Sequence, residues 1–183
     1  SVCSAERVLP AGGVPCTQEQ GDMTQFEGIG LNPSLTRALA EAGYKEPTPI
    51  QAQAIPLALE GKDILGCAQT GTGKTAAFAL PILNRFPDTA AKPRALILAP
   101  TRELACQIEA SFRSYGKHVP ARVCVLYGGA RLGGQIDRLK KGVDIVVATP
   151  GRLMDHLERR TVDLSGVQIL ILDEADRMLD MGF

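Results

Sequence analysis

Residues 63–75 read DILGCAQTGTGKT: a short apolar run, a glycine-rich turn, then a lysine and a threonine. The run 63–67 has strand length, and 74–85 (KTAAFALPILNR) follows with helical spacing. The glycines therefore stand between a strand and a helix. Gly71 and Gly73 allow a tight turn whose N–H groups face inward. A turn of this kind at a helix N-terminus suits phosphate. Lys74 can reach the β- and γ-phosphates, and the Thr75 hydroxyl can ligate Mg²⁺. An ordinary strand–helix turn also carries glycines, but the Gly-Lys-Thr ending is specific to the phosphate reading. The usual pattern opens with Gly, and here position 68 is Ala.

Outward from this turn the chain alternates. The runs 95–99 (ALILA), 122–126 (RVCVL), 144–148 (DIVVA) and 167–172 (VQILIL) are strand-length and almost continuously apolar. That pattern belongs to parallel strands buried on both faces. Helical stretches are predicted near 74–85, 102–117, 131–141 and 151–159. Repeated strand–helix units predict an α/β fold with a doubly wound parallel sheet, every strand ending on one ligand-binding edge. Upstream, 33–42 (PSLTRALAEA) reads as a short helix ended by Gly43, and 50–59 (IQAQAIPLAL) as a helix with a proline-marked bend. Residues 1–22 are small, Gly/Pro-containing and aperiodic, and read as a flexible tail outside a domain of 23–183.

Composition bounds the partners. Of 183 residues, 45% are hydrophobic and 22% charged, which excludes low-complexity and wholly disordered chains. Lys plus Arg total 20 and Asp plus Glu total 20. With no net charge, nucleic-acid binding has to come from a local groove rather than a basic coat. Five cysteines without a CxxC pair argue against a disulfide scaffold or zinc site and fit a reducing, cytoplasmic setting. No apolar run approaches the ~18 residues of a membrane span, and no secretory signal opens the chain.

A second chemical signal follows the last run. Asp173-Glu174-Ala175-Asp176 puts carboxylates at a strand's C-terminal end, on the same edge as the phosphate turn. Asp173 can hold Mg²⁺, and Glu174 can orient and deprotonate an attacking water. Acids in a first helical turn also simply favour the macrodipole. The pairing with Gly-Lys-Thr upstream favours nucleoside triphosphate hydrolysis.

The literal DEAD at 173–176 resembles the motif that names the DEAD-box RNA helicases, and AQTGTGKT at 68–75 resembles their phosphate loop, in which Ala is the usual first residue. Residues 43–51 (GYKEPTPIQ) resemble the family's Q motif, with Phe26 upstream where the family carries an isolated aromatic. Pro100-Thr101-Arg102-Glu103-Leu104-Ala105, Gly128-Gly129 and Thr149-Pro150-Gly151-Arg152 are similar to its RNA-contacting motifs, in order. The resemblance covers 26–183. It implies a RecA-like P-loop NTPase domain that binds ATP and Mg²⁺ and acts on RNA.

Carried over residue by residue, the resemblance gives ATP binding to Phe26, Tyr44, Thr48, Gln51 and the loop Ala68, Gln69, Thr70, Gly71, Thr72, Gly73, Lys74 and Thr75. Lys74, Asp173 and Glu174 become catalytic, with Thr75 and Asp173 on the metal. Pro100, Thr101, Arg102, Gly129, Thr149, Pro150, Gly151 and Arg152 take one RNA strand by its sugar-phosphate backbone, with little sequence preference. The Gln51 amide suits adenine N6 and N7; without the motif around it, a polar side chain on a helix face would be the first reading. Phe26 either stacks near the base or packs in the core, and Tyr44 either meets adenine or covers the loop. Thr101 and Thr149 also fit as N-caps, while Gly129 would let its strand approach closely.

Other polar residues receive plainer readings: lone solvated His118 and His156, a solvated basic face at Arg138, Lys140 and Lys141, and packing at Met178 and Met181. The resemblance further implies a C-terminally incomplete domain. The family continues with a Ser-Ala-Thr motif, on a strand between the phosphate-loop strand and the DEAD strand, and then a second RecA-like domain. ATPase and unwinding by residues 1–183 alone are accordingly expected to be negligible. A DNA helicase or translocase, or an ATP-gated RNA clamp, would keep the same loop. The Gln51 motif and the literal DEAD favour RNA. The intact Lys74, Thr75, Asp173 and Glu174 favour turnover by the parent protein.

Overall fold

The computed structural model describes residues 25–67, 69 and 71–182. The tail reading of 1–22, and the loop positions Ala68 and Thr70, lie outside the described residues.

Four short runs form the sheet: β1 (Ala95–Leu98), β2 (Val123–Leu126), β3 (Ile145–Ala148) and β4 (Ile169–Leu172). They are parallel throughout, in the order β2-β3-β1-β4. The β-branched and leucine side chains of β1 to β3 are almost all buried because both faces are covered. A 3-10 turn (Gln25–Ile29), α1 (Pro33–Glu41), α2 (Pro49–Leu59) and α3 (Lys74–Arg85) precede the sheet in sequence. Helices α4 (Arg102–Tyr115), α5 (Leu132–Lys140) and α6 (Pro150–Glu158) connect its strands, and α7 (Ala175–Asp180) follows β4.

The strand order dictates where the helices lie. The chain leaves β1 past β3 to reach β2, then reverses and returns through β3 to β4. Right-handed crossovers put the outward and returning connections on opposite faces. Accordingly Ile108 and Phe112 of α4 pack with Ile97, Val125 and Val147 on one face, together with Leu80 and Leu83 of α3 and Leu35 and Leu39 of α1. Leu153 of α6 packs with Leu96, Leu126 and Val146 on the other, and Leu139 of α5 lies against that cluster. Each fully buried Leu, Ile or Phe contributes roughly 1.5–3 kcal/mol.

The expected strand 63–67 does not form. No described residue pairs with it, and Leu65 is 97% exposed. A strand exists only in its ladder. The strand that the resemblance sets between this run and β4 has no counterpart among the described residues. β4 shows the same gap from the other side, with Leu170 and Leu172 more than half exposed.

At the sheet's N-terminal edge, Asp144 is fully buried and ties three strand starts together. It accepts from the Arg122 backbone N–H at 2.8 Å and Arg122 Nε at 3.0 Å, and Arg94 lies 3.6 Å away. Burial alone would raise this carboxyl; the Arg122 guanidinium and the N–H donors more than reverse that, and hold it below the usual range.

Candidate functional site

The opposite edge collects the four strand ends. β1 runs into Pro100 and Thr101, β2 into Tyr127–Gly129, β3 into Thr149, and β4 into Asp173. Two adjoining regions result.

The first surrounds the glycine turn. Gly73 is the residue before α3 and has φ +89°, a left-handed conformation that favours glycine. A Cβ there would lie 2.3 Å from Gln51 Nε2 and 3.2 Å from Thr48 Oγ1. Only glycine fits, because the Q-motif residues pack directly on the turn. Gln51 is 2% exposed. Its Oε1 accepts from Thr48 N–H at 3.0 Å, and its Nε2 donates to Gly73 O at 3.2 Å. The amide is thus held by protein groups, a tether between α2 and the loop. The Thr48 hydroxyl oxygen is buried without a hydrogen-bond partner beside the same glycine. Within the loop, Gln69 O accepts the Thr72 hydroxyl at 2.7 Å.

Asp173 and Glu174 close this region. Burial raises the Asp173 carboxyl above its ordinary value, the Lys74 ammonium pulls it down, and Glu174 pushes it up again. The lysine after the turn and both acids therefore share one electrostatic neighbourhood. Glu174 has φ +51° and ψ +50°, a strained conformation for a residue with a side chain, and meets Arg177 at 3.3 Å. The region fits a magnesium–nucleotide by its donor set: a lysine at a helix N-terminus, a threonine on the first turn, and a partly desolvated acid short of positive charge. Among the described residues no cluster of three or more His, Cys, Asp or Glu forms a metal cage. A divalent ion here would thus depend on phosphate oxygens as well.

The second region is an open cleft of about 540 Å³. Pro100, Arg102, Thr149, Pro150, Gly151 and Arg152 line it, six of the eight residues expected to face RNA, together with Gly128, Asp155 and Met181. The Arg102 guanidinium lies over the Tyr127 ring at 4.6 Å. Arg152 donates to Ala130 O at 3.1 Å and pairs with Asp155 at 3.3 Å, so its side chain is only 11% exposed. Thr101 caps α4 by accepting from Leu104 N–H at 3.3 Å, whereas the Thr149 hydroxyl makes no cap bond. Gly129 is outside the cleft lining. Its φ of +81° serves a turn, and a Cβ there would meet nothing within 4 Å, so close approach is not its role.

Several sequence expectations are corrected. Phe26 is completely buried among the core side chains of α1 and α3, so its ring is not presented to a base. Tyr44, read as meeting adenine or covering the loop, lies edge-on against Tyr115, with ring centroids 5.8 Å apart. His156 is not solvated: it is 0% exposed and bonded on both ring nitrogens. His118 meets Glu41 at 3.0 Å. Met178 is packed as expected, but Met181 is half exposed at the cleft. The sequence reading missed Gln135 and Tyr127 altogether. A usable signal existed: His156 lies four residues after Arg152 and so shares its helix face.

A family model described as DEAD/DEAH box helicase matches residues 48–183. The chain is 52% identical over 161 residues to the ATP-dependent RNA helicase DeaD of Klebsiella pneumoniae, covering 87% of this chain and 25% of that protein. It is 52% identical over 163 residues to the ATP-dependent RNA helicase CshA of Listeria monocytogenes, covering 88% of this chain and 31% of that one. The chain thus spans between a quarter and a third of these relatives' length. A crystal structure of a hypothetical ATP-dependent RNA helicase from Sulfolobus tokodaii superposes with a TM-score of 0.77 at 42% identity, over 84% of this chain and 44% of that one.

Proposed function

This chain belongs to the DEAD/DEAH box helicase family, and on that premise we propose that it is the ATP-binding part of an ATP-dependent RNA helicase. The observation that carries this reading is that a partly buried Asp173 feels the charge of Lys74, the lysine that follows a glycine turn enclosed by Gln51 and Thr48.

Each residue then has a task. The loop N–H groups of Gly71 to Thr75 and the Lys74 ammonium bind the β- and γ-phosphates. Thr75 and Asp173 would hold Mg²⁺, which when bound would neutralise charge on the phosphate oxygens. Glu174 orients a water and takes its proton as the water oxygen bonds to the γ-phosphorus. The bond from that phosphorus to the bridging oxygen breaks, giving ADP and phosphate. Gln51 exchanges its Gly73 tether for adenine, which couples base recognition to the loop. In the cleft, Arg102, the free Thr149 hydroxyl and the N-terminal N–H groups of α6 hold a single-stranded RNA backbone. Residues 23–183 form one domain of the whole protein, which unwinds RNA duplexes in the cytoplasm. No described helix is long and apolar enough to cross a membrane.

The test is competition between RNA and DNA of one sequence for the chain, with and without ATP. RNA preference that ATP strengthens is the expected result. Equal affinity for both, indifferent to ATP, contradicts the reading.

A further inference from the structure

We propose that His156 is a positioning residue, whose neutral ring sets the spacing between the two walls of the RNA cleft. This rests on the RNA reading of that cleft. Arg152 stands on one wall, at the start of α6, and Gly128 on the other, after β2.

The hydrogen bonds fix the ring's protonation. Gln135 of α5 donates from Nε2 to Tyr127 O at 3.0 Å, and a backbone carbonyl can only accept. The amide oxygen of Gln135 therefore faces His156 Nε2, 3.1 Å away, so that nitrogen carries the proton. On the far side the single proton of the Thr161 hydroxyl has two acceptors in reach, Nδ1 at 2.8 Å and His156 O at 3.1 Å. That carbonyl is already served by Thr161 N–H at 2.9 Å, and given to the nearer Nδ1 the proton completes a neutral ring. A continuous path runs from Thr161 through the ring and Gln135 to the residue just before Gly128. Arg152, one helical turn earlier, grips the other end of the same turn at Ala130 O. The two ties hold residues 127–130 from both ends. Without the histidine, Gln135 loses the partner that aims its amide at Tyr127 O, and that end of the turn is held less firmly.

Plain packing would require only an apolar ring here. What needs imidazole is a donor and an acceptor on opposite sides, at a fixed span. The charged neighbours favour the neutral form. Burial depresses ring protonation most, followed by Arg152; Asp155 opposes them, and Arg159, just after α6, adds to the depression. Gln135 of α5 and Thr161, which close the other sides, carry no charge.

The test uses His156→Phe, which keeps the volume, Gln135→Met, which keeps the length, and His156→Gln, whose amide nitrogen falls near the Nε2 position. Affinity for a short labelled single-stranded RNA is measured with ATP and Mg²⁺ present, alongside nucleotide affinity and Tm. Both bond-breaking variants should weaken RNA about two- to tenfold, the scale of one lost neutral hydrogen bond. Nucleotide affinity should be unchanged, and the double variant should be no worse than either single one. His156→Gln should retain most of the binding. Reduced Tm with RNA affinity unchanged per folded molecule overturns the proposal and leaves His156 a packing residue. A parental chain that binds no RNA overturns the RNA reading and this proposal together.

Discussion

Glu174 is held at φ +51° beside an acid that burial drives toward protonation. A non-glycine residue in this region costs on the order of 1–3 kcal/mol, so the surrounding structure must impose it. The left-handed geometry holds Glu174, the residue before α7, apart from the helix that follows. Glu174→Gln in the full-length protein should retain ATP and RNA binding while lowering turnover by about 10²–10⁴; near-normal turnover removes Glu174 as the base. Lys74→Ala should weaken ATP by at least about tenfold, ~1.4 kcal/mol, read by titration with a fluorescent nucleotide. His156 gives a pH prediction. Its folded pKa lies below the ordinary 6.5, so as pH falls the unfolded chain takes up the proton first. The stability tied to His156 is present in full above about 6.5 and is lost as pH drops from there toward the lower folded value. Denaturant titrations across that window should show this slope in the parental chain and not in His156→Phe. The acids and the lysine were legible from residue type and spacing alone. Phe26 and His156 were not, because a lone aromatic or histidine carries no periodicity to say which way it faces.

At the scale of elements, β1, β2 and β3 were read almost to the residue, because a strand buried on both faces is apolar throughout. Residues 63–67 have the same look and fail, because hydrophobicity records a preference for burial while a strand needs a neighbour. Asp144 shows the converse: a charge at the head of such a run adds nothing to its apolar signal, yet it fastens the starts of three strands. Asp144→Ala leaves Arg122 and Arg94 without their common acceptor. It should cost about 3 kcal/mol, the lower end for a broken buried pair because Arg122 is partly exposed. A loss below about 1 kcal/mol in guanidinium titrations would place this cluster with ordinary surface pairs.

The whole molecule has no net charge, and only two of its arginines, Arg102 and Arg152, line the cleft. RNA binding should therefore depend only modestly on salt. With Arg102 and Arg152 as the contacts, the log–log slope for single strands should be about −1.4, at ~0.7 per phosphate. Arg102→Ala should weaken all sequences alike and flatten that slope; selective loss for some sequences would mean base readout instead. The central claim is narrower than helicase action: the glycine turn and the paired acids enclose one magnesium–nucleotide. Mn²⁺–ATP added to isotopically labelled chain tests it directly, since the ion broadens amide signals within its reach. The signals of Gly71 to Thr75 and of Asp173 and Glu174 should broaden together and recover with excess Mg²⁺. Broadening confined to one group, or spread over neither, would contradict the account.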